Sequence, residues 1–170
     1  LALEAMRAAR SMPGMEPCLC VSRQNDTFAA LTAFGEATIG VDTFERGIGA
    51  AFGAWRIPSL RKALAAEIRR RRIGAVIELM PHVWSPLLVS ALRTAGTRYT
   101  TIIHDASRHP GDPTALVNAV LGMAAARADR VITLSEPVTT QLRASGRVAP
   151  GKIATLFHPD LSYGSQPVRR

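Results

Sequence analysis

Six short apolar runs recur along this chain, apolar at consecutive positions rather than at every second one, with helical stretches filling the gaps between them. A strand that alternates apolar and polar residues can leave one face in water. A strand without that alternation must be covered on both faces, as parallel strands flanked by helices are. The runs are Pro17–Ser22, Ala37–Val41, Ala75–Leu79, Tyr99–His104, Arg130–Leu134 and Ile153–Phe157. Their alternation with helices predicts an α/β domain built on a doubly wound, mainly parallel sheet, with helices on both faces and right-handed crossovers. A chain of 170 residues suffices for one such domain. Residues 1–164 are read as that domain and 165–170 as the start of a linker. Because Leu1 opens a stretch, LALEAMRAAR, that reads as mid-protein helix, the chain is expected to be part of a longer protein.

Helix punctuation is clearest in the second half. Ser85-Pro86 is an N-cap followed by proline at the first helical position, and Gly96 sits where a C-terminal cap belongs, which predicts a helix over Pro86–Ala95. Asp112-Pro113 repeats the start signal for a helix ending near Arg127, and Ser135 opens another that stops around Gly146. In the first half, glycines 47, 49 and 53 weaken any helix across DTFERGIGAAFGAWRIP, which is read as a loop or broken helix ahead of a helix from Ser59 to Arg72.

The formal charge is +8, and between Arg56 and Arg98 nine Lys or Arg face only Glu67 and Glu78. Charge localised in this way attracts phosphate groups on nucleic acid, lipid or a phosphorylated ligand. The run Arg69, Arg70, Arg71 and Arg72 closes a helix at the negative end of its dipole and is the candidate for contact with an anionic membrane surface. No apolar run approaches the roughly 20 residues of a spanning helix, and no secretion signal opens the chain. The expected location is cytoplasmic, at most peripheral to the inner face of the membrane. Cys18 and Cys20 are read as buried free thiols.

In open parallel sheets ligands bind beyond the carboxyl ends of the strands. That rule selects His82 and Trp84 after the third run, His104 and Asp105 after the fourth, and Ser135 and Glu136 after the fifth, with His109 in the loop HDASRHPGDP. An imidazole ending a strand can donate to hydroxyl or phosphate oxygens, or simply bond to loop backbone. Asp105 either orients that imidazole or caps the loop, and Ser135 either offers an anion site or is a plain N-cap. No glycine-rich dinucleotide or P-loop motif, zinc spacing or G-x-S-x-G elbow is present, so no metal and no cofactor is expected.

The segments AVIELMPHVWSPLL, RYTTIIHDASRHPGDP and ADRVITLSEPVTTQLRASGRVAPGKIATLFHP, in that order and spacing, resemble the N-terminal domain of family 4 glycosyltransferases of the GT-B fold, over about Ser59 to Gly164. The resemblance implies a retaining transferase that moves a hexose from a nucleotide-diphosphate sugar to a sugar, lipid-linked or other hydroxyl acceptor. It implies that this half holds the acceptor while a C-terminal domain grips the donor. His104 would contact the transferred sugar, with Asp105 and Ser135 nearby, and His82, Trp84, His109 and Glu136 on the acceptor side. The family's first strand with its glycine-bearing loop, and its paired C-terminal glutamates, have no counterpart here, so only part of an active site is expected. The competing expectation is a non-catalytic α/β module whose basic helix holds nucleic acid or an anionic membrane. An aromatic content of 5%, not interleaved with the arginines, argues against single-strand stacking, and nucleic acid is not the expected partner.

Overall fold

The structure, a computed structural model, describes residues 2–33, 38–44, 49, 53–104 and 122–156. The chain is α/β with parallel strands. Helix α1 (Ala2–Arg10) precedes β1 (Leu19–Ser22), and the short α2 (Phe28–Leu31) leads to β2 (Thr38–Val41). A 3-10 turn at Ala54–Arg56 runs into α3 (Ile57–Arg70), followed by β3 (Ala75–Glu78), α4 (Ser85–Thr94) and β4 (Arg98–Ile103). A helical segment at 122–127, α5, leads to β5 (Arg130–Thr133), and α6 (Glu136–Ala144) with a 3-10 turn at Pro150–Lys152 leads to β6 (Ile153–Thr155).

Strands β3-β4-β5-β6 form a four-stranded parallel sheet in sequence order, and β1-β2 a separate two-stranded parallel sheet. Among the described residues, β1 and β3 each pair along one edge only. The two sheets nevertheless run side by side. The Cys18 thiol, just ahead of β1, is in hydrogen-bond contact with Arg71, just ahead of β3. Phe44, just past β2, has its ring centroid 5.0 Å from that of His82, just past β3. Order, direction and alternation agree with the expected doubly wound α/β fold.

One face of the larger sheet changes character along every strand. Two positions on, apolar gives way to polar: Val76 to Glu78, Tyr99 to Thr101, Val131 to Thr133, Ile153 to Thr155. The apolar half joins Ile68 of α3, Val89 and Leu92 of α4 and Leu142 of α6 in the hydrophobic core. The polar half lies toward the carboxyl ends, where the candidate site was expected.

Three expectations need correction. α3 starts at Ile57 rather than Ser59, because Pro58 occupies its first turn, where no amide hydrogen is required, and the 3-10 turn feeds directly into it. Ser85 is not the N-cap of α4. Trp84 holds that position in helical geometry without a side-chain cap bond, while the Ser85 hydroxyl is turned onto Glu78. Cys18 and Cys20 are free thiols, but Cys18 is half-buried and Cys20 exposed, on a strand paired along one edge. The helix expected from Asp112 is seen over 122–127, and its start lies outside the described residues.

Gly96 and Gly146 close their helices in left-handed conformation, φ +71° and +64°. At the end of α3 the same position falls to Arg72, with φ 52°, while Ile73 N donates to Ile68 O at 3.0 Å. A side chain in that conformation costs about 1 kcal/mol, which glycine avoids. Arg72→Gly should raise the unfolding free energy by about 0.5–1 kcal/mol, and Arg72→Ala should not, as urea denaturation of both variants will show.

Candidate functional site

Parallel pairing brings the carboxyl ends of β3, β4 and β5 to one rim. Glu78 sits opposite Thr101, and Ile103 opposite Thr133. The residues that follow are Leu79 to Trp84, His104, and Ser135 with Glu136, so the register gathers the expected candidates on one edge.

Beneath them lies a carboxylate that sequence reasoning passed over. Glu78 Oε2 accepts hydrogen bonds from the hydroxyls of Tyr99 and Thr101, the latter at 3.1 Å, and Oε1 accepts one from Ser85. Tyr99, Thr101 and Ser85 are all buried. A carboxylate with three hydroxyl donors ties β3 to β4 and α4. Burial first, then the neighbouring Glu78 charge and hydrogen bond, push the Tyr99 phenol far above its ordinary value, so it stays a donor. Ser85 Oγ in turn accepts the backbone N–H of His82 at 3.0 Å, which closes the loop after β3.

His82 is half-buried between aromatic rings. Its centroid lies 5.0 Å from that of Phe44 and 5.9 Å from that of Trp84, the second contact edge-on at 82°. Phe44 and Trp84 meet at 5.1 Å. His82 Nδ1 accepts the backbone N–H of Trp84 at 3.2 Å, so the proton of the neutral ring belongs on Nε2. Burial lowers the imidazole's proton affinity, with the Glu78 charge opposing it more weakly. Trp84 is only 3% exposed and is therefore floor rather than stacking surface. Gly53 makes that possible, since a Cβ there would lie 3.0 Å from the indole ring and 2.9 Å from the Gly49 carbonyl.

His104 is exposed at the end of β4, and its Nε2 donates to the Leu79 carbonyl at 2.9 Å. The bond ties the β4 rim to the loop carrying His82. Of the two roles expected for this rim histidine, bonding to loop backbone is the one the Leu79 contact shows. Ser135 occupies the N-cap position of α6 in extended geometry, φ −159°, without a side-chain cap bond. Its carbonyl is held by Thr139 N and Thr139 Oγ1, both at 3.1 Å, and Thr139 Oγ1 also meets the hydroxyls of Thr133 and, at 2.7 Å, Thr155. Glu136 is exposed on the first turn of α6. Asp105 and His109 lie outside the described residues.

A second polar group closes the β1-β2 sheet. Gln24 Oε1 accepts Thr43 N at 2.7 Å and Ser22 Oγ at 3.2 Å, and Ser22 and Thr43 hydroxyls lie 2.6 Å apart. Beside it Arg23 and Arg56 reach Asp42 Oδ2 at 3.2 and 3.7 Å. Phe44, the residue after Thr43, reaches across to the His82 loop. Sequence spacing has no signal for Phe44, because the contact joins segments 38 positions apart. No protein-family model matches this chain, and no curated protein matches it significantly.

The depressed imidazole sets a pH dependence. The unfolded chain takes up a proton at His82 near the ordinary value of 6.5 while the folded protein does not. This contribution to stability is complete above that value and is lost as the pH falls below it, until the folded imidazole titrates as well. The melting temperature should therefore fall more steeply from about pH 7 to about pH 5 in the wild type than in His82→Gln, as thermal melts across that range will show.

Proposed function

We propose that this domain is the acceptor-binding half of a retaining glycosyltransferase that moves a hexose from a nucleotide-diphosphate sugar to a hydroxyl group. The observation that carries the reading is His104, an exposed imidazole at the end of a central parallel strand, tethered to Leu79 and placed between the His82 loop and the Ser135 turn. That is where open parallel sheets bind their ligands. The ordered segments that resemble family 4 glycosyltransferases supply the chemistry.

Transfer breaks the bond between the anomeric carbon and the diphosphate oxygen and forms one to the acceptor hydroxyl oxygen, whose proton leaves. A rim imidazole held to the Leu79 carbonyl through Nε2 contributes by positioning the sugar, without acting as general base. On this reading the rim around His82, Ser135 and Glu136 receives the acceptor hydroxyls. Asp105 and His109 belong to the same expected set. The donor's diphosphate is held by a second domain.

Two measurements test this. Calorimetry of the 170-residue domain with UDP-glucose and GDP-mannose should record no tight binding; a tight one-to-one complex would put the donor site in this half and end the family reading. In the enzyme with its donor domain, His104→Ala should lower turnover by about 10²–10³, equivalent to about 3–4 kcal/mol, at an unchanged melting temperature. Near-normal turnover removes His104 from the site, and parallel losses of activity and stability make it a structural residue.

A further inference from the structure

Away from the rim, α3 and α4 pack side by side and leave two adjoining concavities of about 300 and 310 Å³ that share Arg61. The first is lined by Arg61, Lys62 and Arg69, and the second by Arg61, Arg93 and Arg127, with no Asp or Glu among the lining residues of either. Among the described residues, Arg61, Lys62 and Arg69 have no ion-pair or side-chain hydrogen-bond partner. Arg93 donates to the Arg127 carbonyl and Arg127 to the Pro86 carbonyl, which fixes both guanidinium groups while leaving most of their five donors for another acceptor.

Two other members of the arginine run at the end of α3 are otherwise engaged. Arg70 donates to both oxygens of Glu67, at 2.8 and 2.6 Å, and Arg71 donates to the same carboxylate. Those hydrogen bonds hold the Glu67 carboxyl down at about 2. Only Arg69 of the four faces the groove.

Two large apolar side chains accompany these cations. Leu87, 47% exposed, lines the second concavity, and Trp55 is 79% exposed. Trp55 lies three residues before Pro58, so helical spacing sets it at the head of the stripe Pro58, Lys62, Ala65 and Arg69 that lines the first. A row of cations that ends in an exposed indole and an exposed leucine suits a bilayer surface, where basic side chains meet phosphates and the apolar groups sink below them. A single-stranded polynucleotide would call for aromatic rings interleaved along the groove, and Trp55 stands alone at one end.

We infer that the α3-α4 groove docks this protein on an anionic phospholipid surface, through Arg61, Lys62, Arg69 and Arg93, with Trp55 and Leu87 as apolar anchors. The inference does not rest on the transferase reading, since the groove and the rim share none of the side chains involved.

Sedimentation with phosphatidylcholine vesicles containing roughly a third phosphatidylglycerol tests it. The protein should pellet with these vesicles at low salt, stay in solution with pure phosphatidylcholine, and dissociate as salt shortens the screening length. The variant Arg61→Gln/Lys62→Gln/Arg69→Gln should bind on the order of 100-fold more weakly. The variant Arg98→Gln/Arg130→Gln/Arg143→Gln removes as much charge elsewhere and should bind within a few-fold of wild type. Indole emission should shift to the blue on vesicle binding, and Trp55→Ser should abolish the shift because the remaining tryptophan, Trp84, is already buried. Equal weakening by the two triple variants would reduce the effect to net charge and overturn the inference. So would unchanged binding by the first variant, or tighter binding to double-stranded DNA than to the vesicles with the same groove dependence.

Discussion

Tyr99 is fixed at both ends, and the larger sheet is organised around it. Its backbone N–H donates to Asp129 Oδ2 at 2.8 Å and its carbonyl accepts Asp129 N at 2.8 Å, which locks the entry of β5 against β4. Its ring is 3% exposed in the core, and its hydroxyl ends on Glu78. One side chain therefore connects strand registry at one edge of the sheet with the carboxylate that organises the other. Glu78 then holds Ser85, Ser85 holds the His82 amide, and His82 holds the Trp84 amide. The rim loop after β3 is built by this relay of hydrogen bonds rather than by packing alone. In a low-dielectric setting such a relay fixes positions because each member has few alternatives.

The electrostatics divide in the same spatial way. At the rim the described charges are few and the polar groups neutral, with His82 uncharged and the Tyr99 phenol protonated. The concentrated positive charge lies instead along α3 and α4, and the tightest arginine–glutamate contacts there only neutralise the helix end. A chain with a formal charge of +8 thus keeps its cations mostly away from the edge where its ligand is proposed to sit.

The fold was legible because its signals are local. Consecutive apolar residues located all six strands, and Ser135-Glu136-Pro137 and Gly96 fixed helix ends to within about a residue of the structure. Errors arose where a side chain had a distant partner. Ser85 had the sequence neighbourhood of an N-cap, yet Glu78, seven residues earlier, draws its hydroxyl away. The rim histidines and Ser135 were legible from the rule about strand ends. Glu78 was not, because a carboxylate inside an apolar run gives no sign of whether hydroxyls from Tyr99 and Thr101 will meet it. Phe44 and the Thr139 cluster were hidden for the same reason, and an arginine run reads as one patch until Glu67 is seen to hold two of its members.

The cluster of Thr133, Thr139 and Thr155 bears on how this sequence can drift. Thr133 and Thr139 are fully buried, and the three hydroxyls satisfy one another across β5, α6 and β6. Replacing Thr139 by valine keeps the shape but strands the buried Thr133 hydroxyl, at a cost of about 1–3 kcal/mol, whereas after Thr133→Val or Thr155→Val the Thr139 hydroxyl still donates to the Ser135 carbonyl. Replacing all three removes the polar groups together, and Ser135 O keeps the Thr139 amide as a donor. The order of change therefore matters, because Thr133 and Thr155 both lean on Thr139 while Thr139 has the Ser135 carbonyl as well. An all-valine lineage is open if Thr139 changes last, and a descendant that has lost Thr139 while keeping Thr133 should be rare.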